Sequence, residues 1–502
     1  DAIATARSRG AAAQDDQSLM YDLAHAAAAV AMADSALTYA AHGPDELRLA
    51  AIFVGRVVAD LGAGLWRAGD LWGVELEALG PARDFLRATG HPDYVAPAAA
   101  APGGTHLRDD LALVADTFRR FGEDRIAPHA DRIHRDDADI PDEIIDGVRD
   151  LGCFGLSIPT RYGGSASGTE DDYMAMVIAT EELSRASLCA GGSLITRPEI
   201  LARALQAGGT EAQKQHWLPR IANGDALCAV AVTEPDRGSD VAGLTLTASA
   251  ADRGYLLDGT KTWCTFAGRA NVLMVLARTN PDASVGHRGL SIFMVEKPSD
   301  PGRAFTHQDG AGTITGRAIP TIGYRGMHSF EVSFDNWFVP AENVIGEAAG
   351  VGRGFYLQMA GFENGRLQTA ARAVGVMQRA YDLATAYAAE RRVFGAPLDS
   401  YQLTQVKLGN IAATIQISRQ FAYQVARLMS AGDGALEAAM AKAATSRWAE
   451  SATRECMQLH GGFGYAEEYE VSRLFVDARV LSIFEGADET LCLKLIARRL
   501  LA

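Results

Sequence analysis

Cysteine is scarce in this sequence, with six in 502 residues. Cys153, Cys189, Cys228, Cys264, Cys456 and Cys492 lie far apart, with no Cys-x-x-Cys pair and no cluster of zinc-ligand spacing. That pattern excludes a disulfide scaffold and a structural zinc site, leaves no metal expected, and suits a reducing cytoplasm. Positive charge is also short: 47 Lys and Arg against 62 Asp and Glu give a net charge of −15. A chain of that sign is not built mainly to grip nucleic acid or an anionic membrane, although a local basic patch stays open. No stretch reaches the roughly 18 uninterrupted apolar residues of a membrane span. The opening DAIATARSRGAAAQDDQ has no apolar signal core, and without an initiator methionine the chain is expected to begin inside its gene product.

Apolar residues make up 48% and charged residues 22%, ordinary proportions for a soluble globular chain. The length fits about three domains. Residues 19–90 are Ala-rich, with apolar positions every three or four residues and His-Gly-Pro as a stop between two helical stretches. YVAPAAAAPGGT, residues 94–105, reads as a linker, so residues 1–105 form a helical module of their own. Residues 106–228 are helical again. Residues 229–347 change to short β-branched and aromatic runs, such as ANVLMVLART and SFEVSFDNWFVP, punctuated by Gly, Pro and Asp. Residues 348–502 return to long helical periods. The fold class is α+β, mainly α. A doubly wound sheet would need strands and helices to alternate.

Four segments carry chemistry, and each is weak alone. AVTEPDRGSD is a strand running into a Pro/Gly turn that exposes backbone N–H groups and the hydroxyls of Thr233 and Ser239; an ordinary β-turn explains it equally well. KTWCTFAG offers Trp263 and Thr265, a large aromatic face beside a hydroxyl, which suits a flat heteroaromatic cofactor but equally a core tryptophan. AERRVFGAPLDSYQLTQ places Arg391 and Arg392 before one helix break and Gln402 after it, a basic fork for a diphosphate or simply a solvated charge pair. The fourth runs from Gln458 through a glycine-rich break, Gly461–Gly462, to SIFEGADET. There Glu485 lies between apolar Ile483–Phe484 and Gly486, where a helix is expected to end. A carboxylate so placed is desolvated, which favours proton uptake as a general base requires; a simple helix-end acid has the same signature.

In this order and spacing the four segments resemble the acyl-CoA dehydrogenase family, over about Leu107 to Ala502. The resemblance implies an acyl-CoA dehydrogenase-like fold: a helical domain, a middle β-domain and a C-terminal four-helix bundle, here with an extra N-terminal helical module. It implies FAD, an acyl-CoA thioester substrate, an electron-transferring flavoprotein as oxidant and a homo-oligomer, expected as a dimer because the extra module covers surface. Carried over residue by residue, Val232 and Thr233 meet the flavin pyrimidine edge. Ser239 lies near the diphosphate and the pantetheine arm, Trp263 covers the dimethylbenzene side, and Thr265 lies near flavin N5. Arg391, Phe394, Gln402 and the turn Gln458, Gly461, Gly462 reach the FAD of a neighbouring subunit. Ala487 and Glu489 complete the cofactor set, and Glu485 matches the catalytic base. Two departures loosen FAD contacts: Ala487 stands where a threonine is usual, and Val393 replaces another. A subset of the family puts its base just before the arginine of the GFENGR segment. Here that residue is Gly365, and Glu363 is two positions away on another helix face.

The module, with SLITRPEILARAL and GRAIPTIGYRGMHSFEVSF, is similar to the branch of the family that acts on a short α-methyl acyl-CoA carrying a distal carboxylate. The glutaryl-CoA branch reads such a carboxylate with an arginine where this chain has Gly191 and Gly192. Arg197, His328 and Arg366 are therefore the candidate donors, with Glu363 and Ser239 also expected at the substrate. Otherwise the acyl chain is uncharged. A dehydrogenase for another short or branched acyl-CoA stays open, and so does a DNA-associated flavoprotein of this fold.

Overall fold

The computed structural model describes residues 2–10 and 15–502; Asp1 and residues 11–14, part of the polar opening, lie outside the described residues. The chain divides into two compact units. One holds Arg120–Met176 and Ser187–Gly365, the other Asp1–Arg119, Val177–Ala186 and Arg366–Ala502.

The first unit is built on an eight-stranded sheet. In chain order the strands are β1 (Cys228–Ala231), β2 (Thr247–Ala251), β3 (Gly254–Thr265), β4 (Val272–Arg278), β5 (Leu290–Glu296), β6 (Ala304–Asp309), β7 (Gly312–Ile319) and β8 (Ser329–Pro340). They pair in the order β1-β4-β2-β3-β8-β7-β6, with β5 on the other side of β4. Only the β4 pairings with β1 and β2 are parallel. The continuous apolar run of β4 has a direct cause: Val272, Met274 and Leu276 pack on helices through Leu201, Leu205, Trp217 and Ile221, while Leu273 and Val275 face Phe293, Phe330 and Val332. The helix Glu211–Ala222 starts with a full capping box between Thr210 and Gln213.

One irregularity in this sheet positions function. Between Lys261 and Cys264, β3 carries one residue more than β8. Such a bulge bends the strand and re-aims a side chain. Trp263 sits in it with φ of 58° and is 55% exposed, although the strand around it is largely buried.

The second unit is helical. Residues 366–390 of the helix Gly354–Glu390, together with Gln402–Ser430, Ala435–Leu459 and Glu470–Val480, contribute long helices, and the N-terminal helices Gln17–Ala40 and Pro44–Trp72 pack with them. By length and composition Pro44–Trp72 is apolar enough to cross a membrane, with a hydropathy of 1.6 over its window. Its apolar face, Leu49, Ile52, Phe53 and Val57, is buried inside the unit. Arg56 on the same helix donates to Thr414 Oγ1 at 2.9 Å and lies over the Trp448 ring. The expected linker is a packed strap. Val95 and Ala98 are buried, Gln416 donates to the Pro102 carbonyl at 2.7 Å, and Gln420 to that of Thr105 at 3.0 Å. Small side chains allow this: a Cβ on Gly409 would stand 2.4 Å from the Val95 carbonyl oxygen.

Candidate active site

Glu485 does not cap a helix. The helix Glu470–Val480 ends earlier, and residues 481–487 form a turn closed by the Asp488 amide donating to the Ser482 carbonyl at 3.1 Å. Glu485 has φ of 55° and Gly486 φ of 100°. A non-glycine residue in the left-handed region persists only where its surroundings over-determine it. Here they do. Ser446 Oγ donates to the Leu481 carbonyl at 3.1 Å, Ser482 to Glu450, and Lys442 Nζ to the Gly486 carbonyl at 2.5 Å.

Two cations face this turn, and neither stood out in the sequence. Arg372 is fully buried, with Nη2 3.8 Å from Glu485 Oε1, an ion pair longer than a hydrogen bond. Its guanidinium also lies 4.7 Å from the centre of the Phe484 ring and donates to Thr369 Oγ1 at 2.7 Å. Lys442 is fully buried as well. Burial lowers its ammonium to about 8, against the opposing pull of Asp488 and Glu485. The Glu485 side chain is 6% exposed. Arg366, a candidate donor from the sequence, is buried and adds positive potential at Lys442, while the ion pair with Glu485 belongs to Arg372. A charge inside an alanine run was the available signal, since AARAVG and AMAKAA both sink a cation among small residues.

On the sheet unit, Val232 is buried and Thr233 half-buried at the end of β1. Thr233 accepts the Thr262 amide at 2.8 Å, which ties that turn to the bulge. Glu234 organises the turn. Its carboxylate takes Lys261 Nζ at 2.9 Å and the amides of Thr245 and Leu246 at 2.7 and 2.8 Å. Burial pushes that carboxyl up, but Lys261 and the amides outweigh it and hold it below the usual range. Ser239, further round the turn, is exposed. Thr265 is buried and shares a 2.9 Å hydrogen bond with Ser329.

A pocket of about 560 Å³ opens on the helical unit, lined by Arg391, His460, Gly461, Gly462 and Phe463 among others. Gly461 and Gly462 leave bare backbone there: a Cβ on either would meet nothing within 4 Å. His460 stacks on Tyr387 at 4.4 Å, and burial holds its imidazole below the ordinary value. The acid Glu468 also lines the pocket. Arg392–Val393 and Ala396–Pro397 pair as a small hairpin whose tip carries Phe394, 100% exposed. Gln402 is exposed and donates to Asp93, the residue just before the strap, at 3.2 Å. Gln458 and Glu489 are exposed, and the Ala487 carbonyl accepts the Leu491 amide at 3.0 Å.

Of the expected carboxylate readers, Arg197 is buried and donates to Tyr324 Oη at 3.1 Å. His328 lies 2.8 Å from Asp139 and 3.7 Å from Asp137, so it already faces two acids and is a poor receptor for a third. Glu363 is half-buried and adds negative potential at Tyr173.

Comparison with known proteins gives the class. Models of the acyl-CoA dehydrogenase N-terminal, middle and C-terminal domains match residues 108–225, 229–337 and 352–501. The chain belongs to the acyl-CoA dehydrogenase family and is an oxidoreductase that uses FAD. It is 42% identical over 402 residues to (2S)-methylsuccinyl-CoA dehydrogenase of Cereibacter sphaeroides, covering 80% of this chain and 71% of that one. A glutaryl-coenzyme A dehydrogenase in complex with glutaryl-CoA superposes with a TM-score of 0.71 and 31% identity, over 78% of this chain and 95% of the other. Butyryl-CoA dehydrogenase from Megasphaera elsdenii gives 0.72 and 30%, over 79% and 99%. The residues present fit FAD. The sheet unit carries the exposed Trp263 indole in the β3 bulge, with half-buried Thr233 just after β1 tied to that bulge by the Thr262 amide, and the helical unit sets a guanidinium beside bare glycine backbone, a donor set for phosphate oxygens.

Proposed function

We propose that the chain oxidises a short α-methyl acyl-CoA whose β-carbon bears a carboxylate, the reaction being (2S)-methylsuccinyl-CoA to mesaconyl-CoA. The observation that carries this reading is Arg372, a buried cation 3.8 Å from the Glu485 carboxylate. In such a substrate the distal carboxyl carbon is two bonds from the α-carbon that the base must reach. A guanidinium at ion-pair distance from the base is therefore within reach of that carboxylate, and a buried carboxylate without a partner is costly. Arg372 thus replaces Arg197, His328 and Arg366 as the preferred reader. The likeness to the methylsuccinyl-CoA enzyme supports the same substrate.

Glu485 removes the α-proton. Lys442 pins the Gly486 carbonyl so that the carboxylate keeps its aim, and a backbone N–H of the turn polarises the thioester carbonyl as the enolate develops. Arg372 orients the acyl chain and balances the charge that arrives with it. Val232, Thr233, Trp263 and Thr265 hold the flavin ring, with Ser239 near the diphosphate and the pantetheine arm. Bound FAD supplies the hydride acceptor for the β-carbon, and an electron-transferring flavoprotein takes the electrons onward.

The FAD site is shared within a homodimer. The wholly exposed Phe394 and the open Arg391 pocket support this, because neither is completed by the chain's own groups in the helical unit. All six cysteines are buried and none is in a disulfide, which supports a reducing cytoplasm as the location. Turnover with methylsuccinyl-, butyryl-, isobutyryl- and octanoyl-CoA and an artificial acceptor tests the substrate; equal or faster turnover of an uncharged chain sinks it. One observation favours that outcome. Arg372 already contacts Thr369, Phe484 and Glu485, which suits an uncharged short branched substrate as the second reading.

A further inference from the structure

The N-terminal module lies outside the matched family domains, yet it touches the segment that carries the base. Tyr21 and His25 stand four residues apart on one face of Gln17–Ala40, with their rings edge to face at 4.6 Å. Both converge on a single oxygen: Tyr21 Oη donates to Asp488 Oδ2 at 2.6 Å, and His25 Nε2 lies 3.0 Å from the same atom. Cys492 Sγ closes the cluster at 3.3 Å from His25 Nε2. The group is largely buried, with the His25 and Asp488 side chains 14% and 11% exposed. Asp488 is also the residue whose amide closes the Glu485 turn on Ser482.

Resting on the reading of Glu485 as the base, we propose that Tyr21 and His25 are positioning residues of the dehydrogenation, holding the catalytic turn 482–488 in shape through Asp488. The turn needs such a hold. It keeps a glutamate at positive φ, and its far end is free to open unless Asp488 is fixed. Lys442 and Ser446 hold one side from the bundle; Tyr21 and His25 hold the other from the module. A metal ion is the competing occupant, because the ligand atoms of His25, Asp488 and Cys492 lie within 4.8 Å of one another. Against it, the Cys492 sulfur lies against the His25 ring nitrogen at 3.3 Å, and burial with the neighbouring Asp488 pushes the thiol up, so a cation would have to displace its proton to bind. Tyr21 moreover already donates to the oxygen that a metal would use.

The test uses the full-length FAD-loaded enzyme and the variants Tyr21→Phe, His25→Ala and His25→Gln. Single-turnover flavin reduction is read beside FAD content, KM for the acyl-CoA and hydrogen exchange of the peptide over residues 480–490. Tyr21→Phe and His25→Ala are expected to slow reduction about tenfold or more with FAD content and KM unchanged, since small misplacements of a base carry large rate costs. Exchange over 480–490 should speed up, and His25→Gln, which keeps a donor, should recover most of the rate. Unchanged exchange and rate overturn the proposal, as does a rate loss that merely follows FAD loss. Stoichiometric metal in the purified protein also overturns it. If Glu485→Gln remains fast, the base reading fails separately, and the exchange data alone decide the hold.

Discussion

The Glu485 turn and the Arg391 pocket belong to the same helical unit and are finished to different degrees. Around Glu485, side chains of this one chain make the contacts: Arg372, Lys442 and Ser446 from the bundle, Tyr21 and His25 from the module. At Arg391 the walls are open, the glycines face space, and the hairpin tip holds a phenylalanine wholly in solvent. A group that must hold a proton in a fixed direction needs desolvation and over-determination, which a single chain supplies by packing. A phosphate site can be left half-built when a second copy completes it. On the proposed shared site the two regions call for different experiments: one should break from within, the other only through a second copy.

The sharpest break is Glu485→Gln. It keeps size and hydrogen bonding at the turn but removes the base, so flavin reduction is expected to fall by roughly 10² to 10⁴ while FAD and acyl-CoA binding stay near normal. Stopped-flow reduction with methylsuccinyl-CoA reads this directly. Glu363→Gln should cost far less; the reverse ranking would move the base to Glu363.

Next in size is Arg372→Met, which keeps length and apolar packing but removes the charge. Loss of a buried partner for the distal carboxylate is expected to cost about 3 kcal/mol, roughly 10²-fold in kcat/KM, for the carboxylated substrate. Butyryl-CoA should lose much less. Equal losses for both would make Arg372 a support for Glu485 alone and favour the uncharged substrate.

How far the sequence could be read follows the same divide between local and distant causes. The run ANVLMVLART was legible as a strand because β-branched and apolar residues in an unbroken short run have few other uses, while its burial on both faces comes from helices and strands distant in sequence. Glu485 and the glycine turn at 461–462 were legible from motif resemblance and local chemistry. Arg372 was not, because its partner lies over a hundred residues along the chain and only helix packing brings them together. The packing of the strap at 94–105 is hidden for a related reason: Pro, Gly and Ala mark a linker by composition, whereas the carbonyls there are taken by Gln416 and Gln420 far away in sequence. The exposure of Trp263 likewise depends on a bulge set by pairing with β8, which no local pattern announces.

The shared-site half of the comparison yields a smaller effect with a qualitative signature. Arg391→Ala removes one charge-assisted contact, so FAD affinity should fall by about 1.5–3 kcal/mol. Mixing Arg391→Ala subunits with Glu485→Gln subunits then discriminates. If Arg391 serves the partner's flavin, one site of each heterodimer has both an intact base and an intact arginine, so an equal mixture at random pairing recovers about a quarter of the normal activity. If it serves its own, nothing is recovered.

The smallest expected effect tests the exclusion of His328 from the substrate. Asp139 is held below the usual carboxylate range chiefly by its hydrogen bond to His328, with the Gly302 amide adding to this against burial. A carboxyl whose folded value is depressed contributes stability above its unfolded value and loses it as pH falls through the folded one. Asp139→Asn should therefore cost about 1 kcal/mol near neutral pH, and the difference from the parent should vanish as pH drops below the ordinary aspartate range. Urea midpoints across that range measure it. Kinetically the variant should be silent: if His328 is spent on Asp139, the ratio of methylsuccinyl- to butyryl-CoA turnover stays where it was. A ratio that moves with Asp139→Asn would return His328 to the substrate site and weaken the assignment of that role to Arg372.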